Sequence, residues 1–381
     1  MAALSLKRIH SIDQLRGLVM IIMALDHTRD LFHEGSLTED PLNLDTTTPL
    51  LFFTRWITHL CAPTFVFLSG VSIYLQQDKI QNAAALQSKL LKRGCWLVIL
   101  ELTIVNFGIW FNIHFNSILF QVIGAIGTGF IAMAFLQRIA PRFLLLTGLV
   151  LISINQFINI PALSTLVIQQ LGSEHTLIVA YPPLPWLAIM LIGFGMGPYF
   201  KQGTKNAVWF AGLGLILLAG GILLRAFSGF GDPNGWTIQK NSMLTALSFI
   251  RLEKYPPSLL FTMFMLGMAL LLFAILKKQI LPQPINNLLE IYGSVPLFYY
   301  IIHWYLIHGA LIITLLIDGY TLDQLNFGGF GFGRPMQQPN GYSLGIVYLV
   351  WISAVLLLYP ACVRYRQFKQ NNPESFLAKY L

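Results

Sequence analysis

The sequence predicts an all-α, polytopic integral membrane protein of about ten transmembrane helices with both termini cytoplasmic. Three observations carry this. The 381 residues are 55% hydrophobic and only 10% charged, against roughly 25% charged in a soluble protein, and mean hydropathy is +0.65. The apolar residues fall in runs of membrane-crossing length. The basic residues fall in short segments between alternate runs.

Taken in order, the runs cover about 12–32, 50–76, 92–112, 117–138, 142–158, 183–200, 206–227, 256–276, 292–316 and 343–364. Lys7 and Arg8 precede the first. Lys79, Lys89, Lys92 and Arg93 follow the second, Arg138 and Arg142 the fourth, Lys201 and Lys205 the sixth. Lys277 and Lys278 follow the eighth, and Arg364, Arg366, Lys369 and Lys379 the tenth. These are sixteen of the 24 Lys and Arg. The opposite loops are acidic or mixed, with Glu34, Glu39, Asp40 and Asp45 after the first run. The alternation puts the basic loops and both termini on the cytoplasmic side. The segment 77–91 predicts an amphipathic helix on the membrane surface. Loops 159–182 and 228–255 predict short interfacial helices, and the Gly-rich, aromatic loop 317–342 an irregular cap. No secretory signal and no separate soluble domain is expected, so residues 1–381 form one domain. The net charge of +8 reflects membrane orientation, not a nucleic-acid partner. Cys61, Cys95 and Cys362 are far apart, with neither a disulfide framework nor zinc spacing.

The first run carries a polar stripe. Asp13, Arg16, Met20, Met23, His27 and Asp30 follow at spacings of three or four and share one helical face. Arg16 and His27 lie about 16 Å apart along the axis. Ionisable groups in a spanning helix are costly and face a cavity or a partner. The second run carries Arg55 and His59 one turn apart. Lys254 and Tyr255 stand before a double proline, either as an interfacial anchor or as part of a site. The ninth run holds Tyr299 and His303 one turn apart, and Glu101 in the third is a carboxylate expected to pair with a histidine or an arginine.

These residues resemble a family. The opening R-I-H-S-I-D-Q-L-R-G-L and the following M-A-L-D-H-T-R-D are similar to the bacterial relatives of heparan-alpha-glucosaminide N-acetyltransferase. The likeness continues through APTFVFLSG (62–70), YPPLPWLAIMLIGFGMG (181–197), KYPPSLLF (254–261) and YGSVPLFYYIIHWYLIH (292–308). Arg16 with ten residues before His27 is also similar to the arginine–histidine signature of the O-antigen acetylase type of membrane acyltransferase. The resemblance implies a transmembrane transferase that takes acetyl from cytoplasmic acetyl-CoA to a sugar at the opposite face. The lysosomal enzyme's histidine before its second span has no counterpart in 45–50 here; His27, His33 and His59 remain as candidates for the base, and His27, which matches the arginine–histidine pattern, ranks first.

The sequence therefore leads to an acyltransferase of the cell (inner) membrane. Its expected catalytic groups are His27, oriented by Asp30 or Asp26, with His59 as the rival histidine. Its expected donor-binding groups are Arg16, Arg55, Lys254, Tyr255, Tyr299 and His303. Acetyl-CoA is the acyl donor, a sugar or glycan the acceptor, and no metal is expected. Oligomeric state stays open between monomer and homodimer. The rival function is a proton-coupled secondary transporter using the same buried His, Asp and Arg, which predicts broken helices in paired halves.

Overall fold

The first helix begins at His10 and is buried along most of its length. The computed structural model describes residues 9–381 except 78, 81, 202–203, 228–229, 330 and 336–339. Lys7 and Arg8 lie outside the described residues. The helices are α1 (His10–Phe32), α2 (Pro49–Thr58), α3 (Cys61–Gln77), α4 (Ala83–Leu100), α5 (Asn106–Trp110), α6 (Val122–Leu136), α7 (Pro141–Ile154) and α8 (Pro183–Phe200). There follow α9 (Ala207–Ala226), α10 (Ser242–Ile250), α11 (Leu259–Lys277), α12 (Gln283–Ser294), α13 (Pro296–Ile317), α14 (Leu344–Asn371) and α15 (Phe376–Tyr380). Strands β1 (Ser117–Phe120), β2 (Val167–Leu171) and β3 (His175–Val179) form one small sheet.

Local chemistry sets many of the helix starts. Thr48, Asn82, Asn206, Asn241 and Ser258 each cap a helix by accepting a backbone N–H, and Pro49, Pro141, Pro183 and Pro296 stand in first turns, where a missing N–H costs nothing. Pro63 explains the break between α2 and α3: it has no N–H to offer the carbonyl of His59, four residues back. Asn241 and the apolar run after it form α10, the helix expected in the 228–255 loop.

The chain is mostly helical, as predicted. Among the described residues, six stretches are long and apolar enough to cross a membrane: Pro49–Gln77, Pro183–Phe200, Ala207–Ala226, Leu259–Lys277, Pro296–Ile317 and Leu344–Asn371. Val122–Leu136 and Pro141–Phe157 are apolar but shorter. Exposed Leu215, Ile216 and Leu223 on α9, and Leu349, Leu356 and Leu357 on α14, give these helices faces suited to lipid.

Three local expectations are corrected. The loop 159–182 holds strands, not short helices. The β-branched and apolar runs VIQQL and HTLIV pair antiparallel across a turn in which Gly172 takes φ +73°. The run 117–138 opens as β1, which pairs parallel with β3, Ser117 opposite Thr176. The stretch 77–91 is not a separate surface helix. From Ala83 it is the first half of α4, which continues to Leu100 and then passes through a π-helical segment, Glu101–Val105.

Helix α1 is the hub. It packs against α2, α3, α11, α12, α13 and α14. Against α12 the backbones nearly touch: a Cβ on Gly293 would sit 1.7 Å from the Asp13 carbonyl oxygen, and one on Gly17 1.9 Å from that of Leu289. Against α14, the Trp351 indole N–H donates to the Ile21 carbonyl at 2.8 Å. The cap over the far end is ordered by Arg334, which is 1% exposed and donates to the His33 carbonyl at 2.8 Å and the Ser36 hydroxyl at 2.7 Å.

Candidate active site

Two cavities approach α1 from opposite ends. The larger encloses about 680 Å3, within the range of small-molecule sites. At its mouth are Arg16, Lys89, Arg93, Lys369 and Lys379; deeper, its walls are Met20, Val122, Ile123, Leu297 and Tyr300. Arg16 is held in the wall by α3, donating to the Ser72 hydroxyl and to the Leu68 carbonyl at 3.3 Å. Five cations around one opening, above an apolar shaft, suit an anionic head with a long uncharged arm.

The smaller cavity, about 140 Å3, is lined by Asp40, Arg55, His59, Asn234, Arg251, Glu253, Lys254 and Tyr255, among others. Lys254 is 5% exposed, and its Nζ lies 4.9 Å from the Tyr255 ring centre and 5.9 Å from that of Tyr181. Burial acts to raise the Tyr255 phenol, yet Lys254 and Arg55 beside it bring it below its ordinary value. Burial raises the Glu253 carboxyl.

Between the cavities lies a buried polar cluster. Asp26 accepts from Arg55 at 2.6 Å and from Arg29 at 3.1 Å, and Arg29 also binds Asp30 at 2.5 Å. Two carboxylates thus meet two guanidiniums, and Arg55 reaches on to the Tyr255 hydroxyl at 3.5 Å. One residue along, the His27 ring lies against Trp304, tilted by 40° with centroids 3.9 Å apart. Its Nδ1 lies 3.1 Å from Nε2 of His303, and Nδ1 of His303 lies 3.3 Å from the Tyr299 carbonyl oxygen.

This last chain assigns the protons. A carbonyl oxygen only accepts, so His303 carries its proton on Nδ1. In a neutral ring its Nε2 is then an acceptor, and His27 donates from Nδ1. The lone pair of His27 is left on Nε2, where a base needs it. His303 therefore does for His27 what a carboxylate does in a hydrolytic triad: it fixes the tautomer.

The sequence-predicted residues are accordingly divided. The expectation that Asp26 or Asp30 orients His27 is corrected: their oxygens go to Arg29 and Arg55, and His303 holds the ring. Of the six expected donor-binding residues, only Arg16 lines the large cavity; Arg55, Lys254 and Tyr255 line the small one with His59. His27, Tyr299 and His303 are buried and line neither. Among the described residues, Glu101 meets no histidine or arginine. Its carboxylate accepts the Gly124 N–H at 2.8 Å at the start of α6, where the helix dipole favours an anion. Sequence reasoning missed Arg29, Tyr300 and Trp304. The i, i+4 spacing of Tyr300 and Trp304 around His303 was the available signal for the last two.

Residues 8–223 match the family model described as heparan-alpha-glucosaminide N-acetyltransferase, catalytic. Comparison with curated proteins finds no match. The family match spans more than half of the chain, and the chain belongs to that family. Its matched part runs from α1 into α9 and so includes His27, Arg55 and His59.

Proposed function

We propose that this family member is an acetyl-CoA-dependent acyltransferase that passes an acetyl group across the membrane to a sugar or similar hydroxyl or amine acceptor. The chain crosses the bilayer of the cell (inner) membrane about ten times, with both termini and the basic mouth cytoplasmic. Residues 1–381 act as one catalytic domain. The single observation behind this reading is the arrangement of two cavities on either side of one histidine pair, the larger ringed by cations.

Acetyl-CoA is the donor substrate. Its phosphates meet Arg16, Arg93, Lys89, Lys369 and Lys379, and its pantetheine arm descends the apolar shaft toward Tyr300. The acceptor occupies the small cavity, positioned by Arg55, Lys254 and Tyr255. His27 Nε2 removes the proton as the acceptor's oxygen or nitrogen forms its bond to the acetyl carbon. The C–S bond breaks, and CoA leaves as thiolate, which then takes up a proton. His303 shares the positive charge that develops on His27. The Asp26–Arg55 pair fixes the floor of the acceptor cavity, while His59 lines its wall.

Turnover of acetyl-CoA by the purified protein in detergent tests this. An acyltransferase releases free CoA in step with acceptor. A proton-coupled transporter moves the acceptor across reconstituted vesicles without consuming acetyl-CoA, and that result would replace the proposal.

A further inference from the structure

Three polar atoms near His27 are buried with no completed hydrogen bond among the described residues: Glu101 Oε1, the Tyr300 hydroxyl and Trp304 Nε1. Trp304 follows Tyr300 by one helical turn and is its polar neighbour, and the Glu101 carboxyl also lies near Tyr300. Glu101 itself stands in the π-helical segment, tied through its other oxygen to Gly124. The preceding α6 residues, Val122 and Ile123, line the large cavity, as does Tyr300. Tyr300 thus lines the deep part of that cavity, with Trp304 one turn along α13 and Glu101 bound to the start of α6.

An unsatisfied buried polar atom is expensive, and native proteins keep few. Three together, at a π-helical segment, mark a place built for a ligand's polar group. Their types define that group. Glu101 Oε1 accepts; Tyr300 O–H and Trp304 N–H donate. A secondary amide offers the complement, one N–H and one C=O with two lone pairs. The location defines which amide. The Trp304 ring lies against that of His27, centroids 3.9 Å apart, so a group bound beside it stands next to the proposed base. In acetyl-CoA the cysteamine amide is two methylene groups from the sulfur.

We propose that Glu101, Tyr300 and Trp304 form a binding site for the pantetheine amide nearest the thioester, with the N–H on Glu101 and the carbonyl on Tyr300 and Trp304. This inference rests on the acyl-CoA reading above. The site sets the depth of the arm and so places the thioester against His27, which is how remote binding is converted into reaction geometry.

Tyr300→Phe is the test, because it removes one hydroxyl that completes no hydrogen bond among the described residues. Thermal unfolding of the variant is expected to match wild type. Its Kd for acetyl-CoA rises about tenfold, the effect of one hydrogen bond, while its Kd for 3′,5′-ADP, which lacks the arm, is unchanged. A second probe leaves the protein alone. An acetyl-CoA analogue with the cysteamine amide replaced by an ester keeps the carbonyl and loses the N–H, and should bind wild type about tenfold more weakly than acetyl-CoA. Equal binding in both comparisons overturns the amide site. So does a fall in kcat for Tyr300→Phe with Kd unchanged, which assigns the hydroxyl to the reacting carbonyl instead. If wild type itself neither binds nor consumes acetyl-CoA, the acyltransferase reading falls and the amide site falls with it.

Discussion

Neutralising Asp26 should unfold this protein far more readily than the loss of an exposed charge would. Asp26 holds Arg55 at 2.6 Å and Arg29 at 3.1 Å. At an effective dielectric of about 20, the closer contact is a gross attraction of about 6 kcal/mol, most of which offsets the desolvation of the two ions. The net cost of breaking such a pair comes from the partner left behind. In Asp26→Asn, Arg29 and Arg55 share only Asp30, with Lys254 nearby, and a positive charge stays buried. The expected loss is about 3–5 kcal/mol, a large part of the usual 5–15 kcal/mol of stability. Arg55→Gln strands a negative charge and should cost a similar amount. The double variant, Asp26→Asn with Arg55→Gln, leaves Arg29 with Asp30 and should be more stable than either single variant. The buried thiols of Cys61 and Cys362 give the assay, since they react only on unfolding, in a background where exposed Cys95 is replaced by Ser. Strictly additive losses in the double variant would refute the pairing argument.

Arg16→Ala should raise the Kd for acetyl-CoA, and dephospho-CoA should bind wild type more weakly than CoA, both read by titration calorimetry; unchanged binding removes Arg16 from the donor site. Gly293→Ala should lower stability by about 1–3 kcal/mol or more, because its Cβ would lie 1.7 Å from the Asp13 carbonyl oxygen, deep inside normal contact distance. Gly212→Ala, in the open on α9, should be neutral or mildly stabilising in the same unfolding assay. Single cysteines placed at Lys201 and at Asp45 should label from opposite sides of the membrane; equal labelling of both from outside contradicts the ten-crossing topology.

The sequence carried the mostly helical class and six long helices, because those are long apolar runs and lipid-scale runs leave little choice of structure. It carried the stripe on α1 for the same reason, since spacing alone puts Arg16 and His27 on one face. What it lacked was distance across the fold. His303 is 276 residues from His27, and no local spacing links them, whereas Asp26 and Asp30 are near in sequence and drew the orienting role. Arg29 was the missed competitor: adjacent carboxylates bind a guanidinium before they bind a neutral imidazole. The sheet was missed because the outer connection 159–182 looked like a membrane-edge segment, although its β-branched content favoured strands. Lys254 and Tyr255, close in character to Arg16 as phosphate-binding groups, lie instead on the far side of the histidine pair, a separation set by chain topology.

The central claim is that His27 is the base and that its partner is His303. Acetyl transfer and acetyl-CoA binding should be measured side by side for His27→Ala, His303→Ala and His59→Ala. The account predicts that His27→Ala abolishes transfer while binding acetyl-CoA nearly as wild type does, that His303→Ala loses about 10²–10⁴-fold in kcat through the wrong tautomer of His27, and that His59→Ala acts mainly on acceptor KM. Near-wild-type transfer by His27→Ala, with transfer lost in His59→Ala, would contradict it and pass the base to the second span.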